Sequence, residues 1–319
     1  MLRHLLAGES HGPALVGILE GFPAGLRIKK SLVDGELALR QQGYGRGPRV
    51  QSIEKDQVTF LSGFWQGRTL GSPIAFQIPN LDYQLRRKRG IKAQRWQVPR
   101  PGHADLPGVT RYGYDDCAPV AERASARSTA ALVAAGACAK ALLREFGITV
   151  LSHTRSVGGI EALETEPTLA RLRRIRRLGL GLEVAGEDGQ NAHDEIFPAA
   201  DALEESLSGP RFRRTTNRAG GLEGGITNGE PVVVRGFVKP ISSQRQRLRS
   251  VNLKSGRADL AAWVRSDTCV VPAAGIVGEA VVAWRLGDAL TSFLGGADLK
   301  TMLRRFRDLE NQTHEGTDS

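Results

Sequence analysis

The sequence predicts an α+β protein, and three observations predict it. Two strand-like runs at residues 2–7 and 14–20 flank a glycine-bounded turn, and residues 50–78 alternate well enough for two or three more strands. Two long alanine-dense helices lie far apart in the chain, at residues 123–146 and about 276–294. At roughly 150 residues per domain, 319 residues suffice for two domains or one large core.

Each element has a local reason. The opening strands flank Gly8-Glu9-Ser10-His11-Gly12-Pro13, and Gly21, Pro23 and Gly25 close the second. A helix is expected from Ser31, a residue able to cap its first turn, through Leu32, Leu37 and Leu39 to Arg40, stopping at Gly43. A loop rich in glycine and arginine, 43–49, leads into the strands of 50–78, which Gly63, Gly67 and Gly71 punctuate. Residues 79–120 show little periodicity and many Pro, Gly and charged residues, so a long ordered loop of the kind that carries function is expected.

Small side chains on every face of helix 123–146, which Gly147 ends, let neighbours approach closely and place it centrally. The second such helix follows Pro272 and ends at Gly295-Gly296, and two similar helices after strands suggest an internal duplication. Residues 160–210 are the least regular part, 231–238 (PVVVRGFV) read as a strand, and residues beyond about 307 read as a frayed polar tail.

Composition excludes several classes. Hydrophobic residues at 40% and charged residues at 24% are ordinary globular usage, which rules out wholesale disorder and collagen-like repetition. The net charge of +10, carried mostly by arginine, points to anionic partners gripped by the two-pronged guanidinium, with an arginine-biased composition as the plain alternative. Cys117, Cys138 and Cys269 are scattered, with no C-x-x-C pair for zinc or redox chemistry, so a reducing cytoplasm fits. No signal peptide and no membrane span are expected, since no run of 18 uninterrupted apolar residues occurs.

The segment 8–12 formally matches G-x-S-x-G, the nucleophile elbow of serine hydrolases. An elbow needs strands before it and a helix directly after it, whereas this segment opens the chain and leads into another strand. What survives is His11 in a turn held by glycines, where backbone can approach a ligand. Arg100-Pro-Gly-His103-Ala-Asp105 repeats the pattern, with Arg100 and Asp105 near enough to tune the imidazole.

Arg123 and Arg127, four apart at the start of a helix with Ser125 between them, outline an anion site at its positive end, to which Arg40, Arg46 and Arg49 add cations. The alternative is a solvated face on which both pair with Glu122 and nearby acids. Arg265-Ser266-Asp267 stands just before the second Ala-rich helix, where a carboxylate could face a cleft. Residues 217–225 (NRAGGLEGG) and Lys239-Pro240-Ile241-Ser242-Ser243 make a glycine-lined wall with anion-seeking ends, matching neither a P-loop nor a dinucleotide fingerprint. Metal ligation is not expected. The basic runs 86–89 and 245–249 raise nucleic-acid binding as a rival, but no such motif occurs and aromatics are only 6%, so solvated loops are preferred.

Taken together, these motifs resemble the chorismate synthase family: Gly8 to Gly12, Arg46 to Arg49, Arg100 to Asp105, Glu122 to Arg127, Thr216 to Gly225, Lys239 to Ser242 and Arg265 to Asp267 follow the family's order. The resemblance implies a β-α-β sandwich, with central helices between two antiparallel sheets, and a homotetramer. It implies conversion of 5-enolpyruvylshikimate 3-phosphate to chorismate and phosphate by a 1,4-elimination with reduced FMN, with NADPH as a possible reductant and neither nucleic acid nor membrane as partner. His11 would protonate the leaving phosphate, His103 the reduced flavin, and Asp267 would help remove the ring proton. Ser10, Arg40, Arg46, Arg49, Arg100, Arg127 and Arg265 would bind substrate, while Arg123, Ala124, Ser125, Asn217, Gly224, residues 239–243 and Arg265 would contact flavin.

The chain also departs from the family. It is several tens of residues shorter than is usual, the gap falls just before Gly179, and the flavin-contacting G-D-S-x-G-G stretch is missing there. Ala118 and Ser128 stand where many relatives carry Arg and Glu. The expected organisation is one domain over 1–310, shortened around 160–190, with a polar tail at 311–319. An active enzyme is the first expectation, and a weak or inactive paralogue that binds flavin or anions within an oligomer is the second.

Overall fold

Alternation along the first strands fixes which side chains turn inward. In β1 (Arg3–Ala7) and β2 (Ala14–Glu20), an antiparallel pair, Leu15 and Leu19 are buried while Val16, Ile18 and Glu20 face outward. This computed structural model describes residues 1–43, 45–47, 55–91, 95–157, 160–161, 193–198, 212–239, 241–243, 246–264 and 267–315. Within them the chain forms two units, Met1–Leu142 with Val238–Ser319, and Leu143–Phe237.

In the first unit, α1 (Lys30–Gln41) follows the hairpin, then β3 (Thr59–Phe60), β4 (Phe64–Trp65), β5 (Arg68–Thr69) and β6 (Ile74–Pro79). Strands β1-β2-β6-β3 make one antiparallel sheet in that order, and β4 pairs β5 in a separate ribbon. Gly17 sits opposite Phe76, and a Cβ there would come 2.4 Å from the Phe76 ring, so the missing side chain seats that ring. Helix α1 begins one residue before Ser31, after an extended Lys29 with no side-chain cap. The expected serine cap is therefore not used, because Ser31 already lies inside the first turn.

The long loop expected over 79–120 contains three short helices instead: α2 (Leu81–Lys88), α3 (Asp105–Tyr112) and α4 (Ala118–Arg123). Eight residues or fewer carry too few apolar positions for a visible period, and end signals mark them better. Asn80 Oδ1 accepts from Tyr83 N at the start of α2, Gly113 closes α3 with φ +68°, and Pro119 lies in the first turn of α4. The basic run 86–89 lies at the end of α2 rather than in a loop.

The first Ala-rich helix starts later than expected. After α4, Ala124 and Ser125 leave the helix, a 3-10 turn spans Ala126–Ser128, and α5 runs Thr129–Arg144. It therefore follows helical segments rather than a strand. Ser125 is extended, and its hydroxyl accepts from Arg127 N at 3.2 Å, which breaks the helix there. The stretch Ala118–Arg144 is long and apolar enough to cross a membrane, but 78% of its apolar window is buried inside the protein, as in a core helix.

In the second unit the described pairs are hairpins: β7 (Ser156–Val157) with β8 (Ile160–Glu161), β9 (Ile196–Pro198) with β10 (Phe212–Arg214), and β11 (Leu222–Glu223) with β12 (Ile226–Thr227). Residues 231–238 join no ladder among the described residues, although their composition suits a strand. β-propensity needs a neighbouring edge to act on, and Phe237 is left 91% exposed. Most of the irregular stretch 160–210 lies outside the described residues.

The first unit resumes with the hairpin β13 (Arg249–Val251) and β14 (Ala258–Leu260), then α6 (Val271–Leu294) and α7 (Leu299–Glu315). Pro272 lies in the first turn of α6, and Gly295 ends it with φ +58°. The polar tail expected beyond residue 307 is helical through Glu315, because Leu299 and Met302 bury the start of α7 and the helix continues from there.

Helices α1, α5 and α6 meet in the interior, where alanine and glycine permit close approach. Lys140 of α5 donates to Glu36 of α1 at 2.6 Å and also to Glu279 of α6, and all three residues are buried. A Cβ added at Gly136 would fall 2.4 Å from Ala280, whereas one at Gly278 meets nothing within 4 Å. Gly136→Ala should therefore cost about 1–3 kcal/mol from overpacking. Gly278→Ala should be neutral or gain up to about 1 kcal/mol from helix propensity. Urea unfolding of the two variants reads this difference in sign.

Candidate functional site

The turn between β1 and β2 is fixed from outside. Asn80, 1% exposed, donates to the carbonyls of Ser10 and Gly12 at 2.9 Å each, and its own N–H reaches Pro13 O at 3.0 Å. Glu122 of α4 completes the frame: its carbonyl accepts from Ser10 N, and its carboxylate accepts from His11 N at 2.7 Å and contacts His11 Nδ1 at 2.5 Å. Asp82 Oδ2 lies 3.8 Å from His11 Nε2 and is held by Arg86 Nε at 3.0 Å. The strand that follows the turn disposes of the nucleophile-elbow match.

Every expected substrate arginine among the described residues is buried against an aspartate. Arg127 Nη1 donates to both oxygens of Asp56, at 2.7 and 2.6 Å, and Arg40 Nη1 lies 3.6 Å from the same carboxylate. Arg40 also donates through Nε to Thr129 Oγ1 at 2.9 Å and through Nη2 to Ala126 O at 2.8 Å. Arg46 Nη1 meets Asp267 Oδ2 at 2.6 Å, and Gly47 N donates to Asp267 Oδ1 at 2.6 Å. Thr268 N donates to Gly45 O at 2.6 Å, and a Cβ at Gly45, φ +84°, would fall 2.7 Å from Cys269 N. Glycine is needed there for the two segments to meet.

The expected pairing of Arg123 and Arg127 on one helix face does not form, because the break at Ser125 separates them. Arg123 is exposed, with its guanidinium carbon 5.0 Å from the Tyr112 ring centroid, while Arg127 is buried on Asp56. Glu122 frames the His11 turn.

His103 is held in the second cluster. Its Nδ1 lies 2.6 Å from Asp105 Oδ1 and 3.1 Å from Arg100 Nη2. Asp105, fully buried, also accepts from Arg100 Nε at 2.7 Å, Nη2 at 2.9 Å and N at 3.0 Å. Burial works to raise the Asp105 pKa, but the hydrogen bonds from His103 and Arg100 win and hold it well below the usual carboxylate range. Arg100 is thus engaged within the protein rather than presented as an open clamp. Lys239, Ser242 and Ser243 border this cluster: Lys239 Nζ donates to Gly102 O at 2.7 Å, Arg100 Nη1 to Ser243 Oγ at 3.4 Å, and Ser242 flanks Gly102. Helix α3, starting at Asp105, packs on α4, where a Cβ at Gly108 would lie 2.3 Å from Val120.

In the second unit Asp194 accepts from Thr216 Oγ1, Arg218 N and Ala219 N at 2.6–2.9 Å and so shapes the loop that carries Asn217, whose Nδ2 donates to Pro231 O. Burial opposes ionisation of Asp194, but these hydrogen bonds lower its pKa. Gly224 has φ +58° and open space where a Cβ would stand. Arg49, Pro240 and Arg265 lie outside the described residues.

The residues missed in the sequence are the partners Asp56, Asp82, Asn80 and Asp194, together with the contact of Glu122 with His11. Their signals were faint, the clearest being Asp56 as an acid just before a strand-like run. A flavin mononucleotide presents a phosphate and a carbonyl-edged ring, and the donors here suit it. Lys239 and the serine hydroxyls are at hand, and Arg46 Nε and Trp96 Nε1 are buried without a hydrogen-bond partner among the described residues. No group of three or more His, Cys, Asp or Glu side chains suited to a metal ion occurs among the described residues.

Two measurements check the electrostatics. Because the folded Asp105 pKa lies below the ordinary 3.8, its stabilisation is complete above about pH 4 and is lost as pH falls further. The stability advantage of the native protein over Asp105→Asn should accordingly shrink on acidification below pH 4, read by urea unfolding at stepped pH. Burial pushes the Cys138 thiol up to about 12, and burial with the charges of Asp105 and Asp116 pushes Cys117 up to about 11. Partly exposed Cys269 should then react first with a disulfide reagent at pH 8, and the other two only on unfolding.

Comparison with known proteins adds independent findings. The family model described as chorismate synthase matches residues 2–177 and 175–291. The chain is 40% identical to the chorismate synthase of Desulforudis audaxviator, over 96% of this chain and 97% of that protein, and 38% identical to that of Acidobacterium capsulatum, over 96% and 98%. The first alignment spans 386 positions against the 319 residues here, so that relative carries residues without a counterpart. The two matched stretches meet beside Gly179, where the shortening is expected. A crystal structure of chorismate synthase superposes with a TM-score of 0.67 at 29% identity, covering 98% of each chain. With matches of this length on sequence and on structure, the chain belongs to the chorismate synthase family.

Proposed function

We propose that the chain converts 5-enolpyruvylshikimate 3-phosphate to chorismate and inorganic phosphate, as a carbon–oxygen lyase that needs reduced FMN. In this 1,4-elimination the C–O bond to phosphate breaks, a ring C–H bond releases its proton, and the electron pair left behind becomes the new double bond. The observation that carries the reading is the pair of turn-held histidines, each with Nδ1 against a carboxylate, in a molecule whose site cations are arginines seated on aspartates. Such a site suits a substrate with two carboxylates and a phosphate.

The placement of these side chains and the family resemblance support the roles that follow. His11, oriented by Glu122, supplies a proton to the departing phosphate, and His103 holds a proton toward the flavin. Asp267, seated on Arg46 and Gly47 N, assists removal of the ring proton. Ser10, Arg40, Arg46, Arg49, Arg100, Arg127 and Arg265 bind substrate anions. Arg123, Ala124, Ser125, Asn217, Gly224, residues 239–243 and Arg265 would hold FMN, which when bound supplies an electron-rich ring to a reaction with no net redox change. In this reading the enzyme works in the cytoplasm as a homotetramer, NADPH is a candidate reductant, and neither nucleic acid nor membrane takes part.

Anaerobic phosphate release and chorismate absorbance, measured with chemically reduced FMN at several concentrations, test the reading. Turnover that saturates with FMN is expected, at a high concentration if the shortening before Gly179 weakens flavin binding. FMN binding without turnover, from folded protein, would instead mark an inactive paralogue. His11→Ala should lower turnover by at least about 100-fold, and a near-normal rate in the folded variant removes its role as proton donor.

A further inference from the structure

The contacts of His103 determine which of its nitrogens carries hydrogen. An ionised carboxylate only accepts, so a 2.6 Å approach of Nδ1 to Asp105 Oδ1 requires hydrogen on Nδ1. Arg100 Nη2, 3.1 Å away, is a donor only and offers Nδ1 no acceptor. A bare Nδ1 could accept from Arg100, but it would then face the carboxylate lone pair against lone pair at the shorter distance. Nδ1 thus points its hydrogen at Asp105, and Nε2 has no hydrogen-bond partner among the described residues.

Asp105 cannot easily turn away. It takes four donors, from Arg100 N, Nε and Nη2 and from His103, and it opens α3, where the positive end of the helix favours a carboxylate. Arg100 is 6% exposed, stacked 5.4 Å from the Trp96 ring centroid, and spends Nε and Nη2 on this carboxylate. The turn closes on itself through His103 N to Arg100 O at 3.2 Å, with Gly102 at φ +74°.

We propose that Asp105 is a positioning residue that holds His103 as its Nδ1–H tautomer, leaving Nε2 as the nitrogen that exchanges protons. Arg100, whose Nε and Nη2 reach the two oxygens of Asp105, belongs to this arrangement as the group that locks that carboxylate. What His103 does rests on the function proposed above, whereas how it is held does not.

The test separates the two. Nitrogen-15 NMR of histidine-labelled, ligand-free protein, recorded at a pH where the imidazole is neutral and assigned with His103→Gln, should place the His103 proton on Nδ1. In Asp105→Asn the side-chain NH2 would turn toward Nδ1, and the proton should move to Nε2. That variant should lose at least about 100-fold in kcat with KM changed less than about threefold, and Asp105→Glu should recover part of the loss. Arg100→Lys keeps the charge but not the fork, and should likewise lower kcat more than it raises KM.

A native His103 protonated on Nε2, or an Asp105→Asn protein with tautomer and kcat unchanged, overturns the proposal. A KM raised more than about tenfold at constant kcat in Arg100→Lys overturns the locking role of Arg100. If the native protein shows no turnover, the functional reading fails while the native tautomer still decides how His103 is held.

Discussion

Arg127 meets both oxygens of Asp56 across 71 residues of sequence, in a place where 1% of the aspartate side chain is exposed. Removing one partner of such a pair strands a charge in a dry interior, which costs about 3–5 kcal/mol, so each partner dictates where the other's backbone runs. The same carboxylate holds Arg40, which also bonds Thr129 and Ala126. The end of α1, the segment before β3 and the turn before α5 are thereby tied to one point. Arg46 with Asp267 ties the next loop to the start of α6, and Arg100 with Asp105 closes the His103 turn. A molecule of net charge +10 can keep a cluster of cations folded because each is neutralised locally.

The two histidines share one design. Each sits in a tight turn, each presents Nδ1 to a carboxylate, and in each case a helix supplies the carboxylate: Glu122 from α4 and Asp105 from α3. These helices pack on one another through Gly108 and Val120, so the two imidazoles are mounted on a common support. Rigid mounting of this kind suits proton transfer, whose efficiency falls quickly with misplacement.

Beneath the site, small residues bring α1, α5 and α6 close enough for one ammonium to bridge two carboxylates. Gly136 lets α6 approach, and Lys140, one turn later, reaches both Glu36 and Glu279. Glu36 and Arg40 lie one turn apart on α1, so the face that anchors this triad also aims Arg40 at Asp56. Packing in the helical core and geometry in the site are thus linked through a single helix.

Local patterns in the sequence were sufficient for the opening hairpin, the two Ala-rich helices and the turns around His11 and His103, because period-two alternation, alanine density and Gly-Pro punctuation act over a few residues. They did not reveal α2, α3 and α4, whose eight or fewer residues carry no clear period, and they suggested a strand at 231–238, which joins no ladder among the described residues. The reactive-looking residues were legible as types: histidines in rigid turns, arginines on glycine-rich backbone, an aspartate before a helix. Their partners were not, since Asp56, Glu122 and Asn80 act on groups tens of residues away, and ion pairing in a buried site depends on which segments the fold brings together. Residue types and their local spacing carry the chemistry on offer and its turn geometry. Which carboxylate neutralises which cation is settled by long-range packing, because burial makes that choice costly to get wrong and distance along the chain says nothing about it.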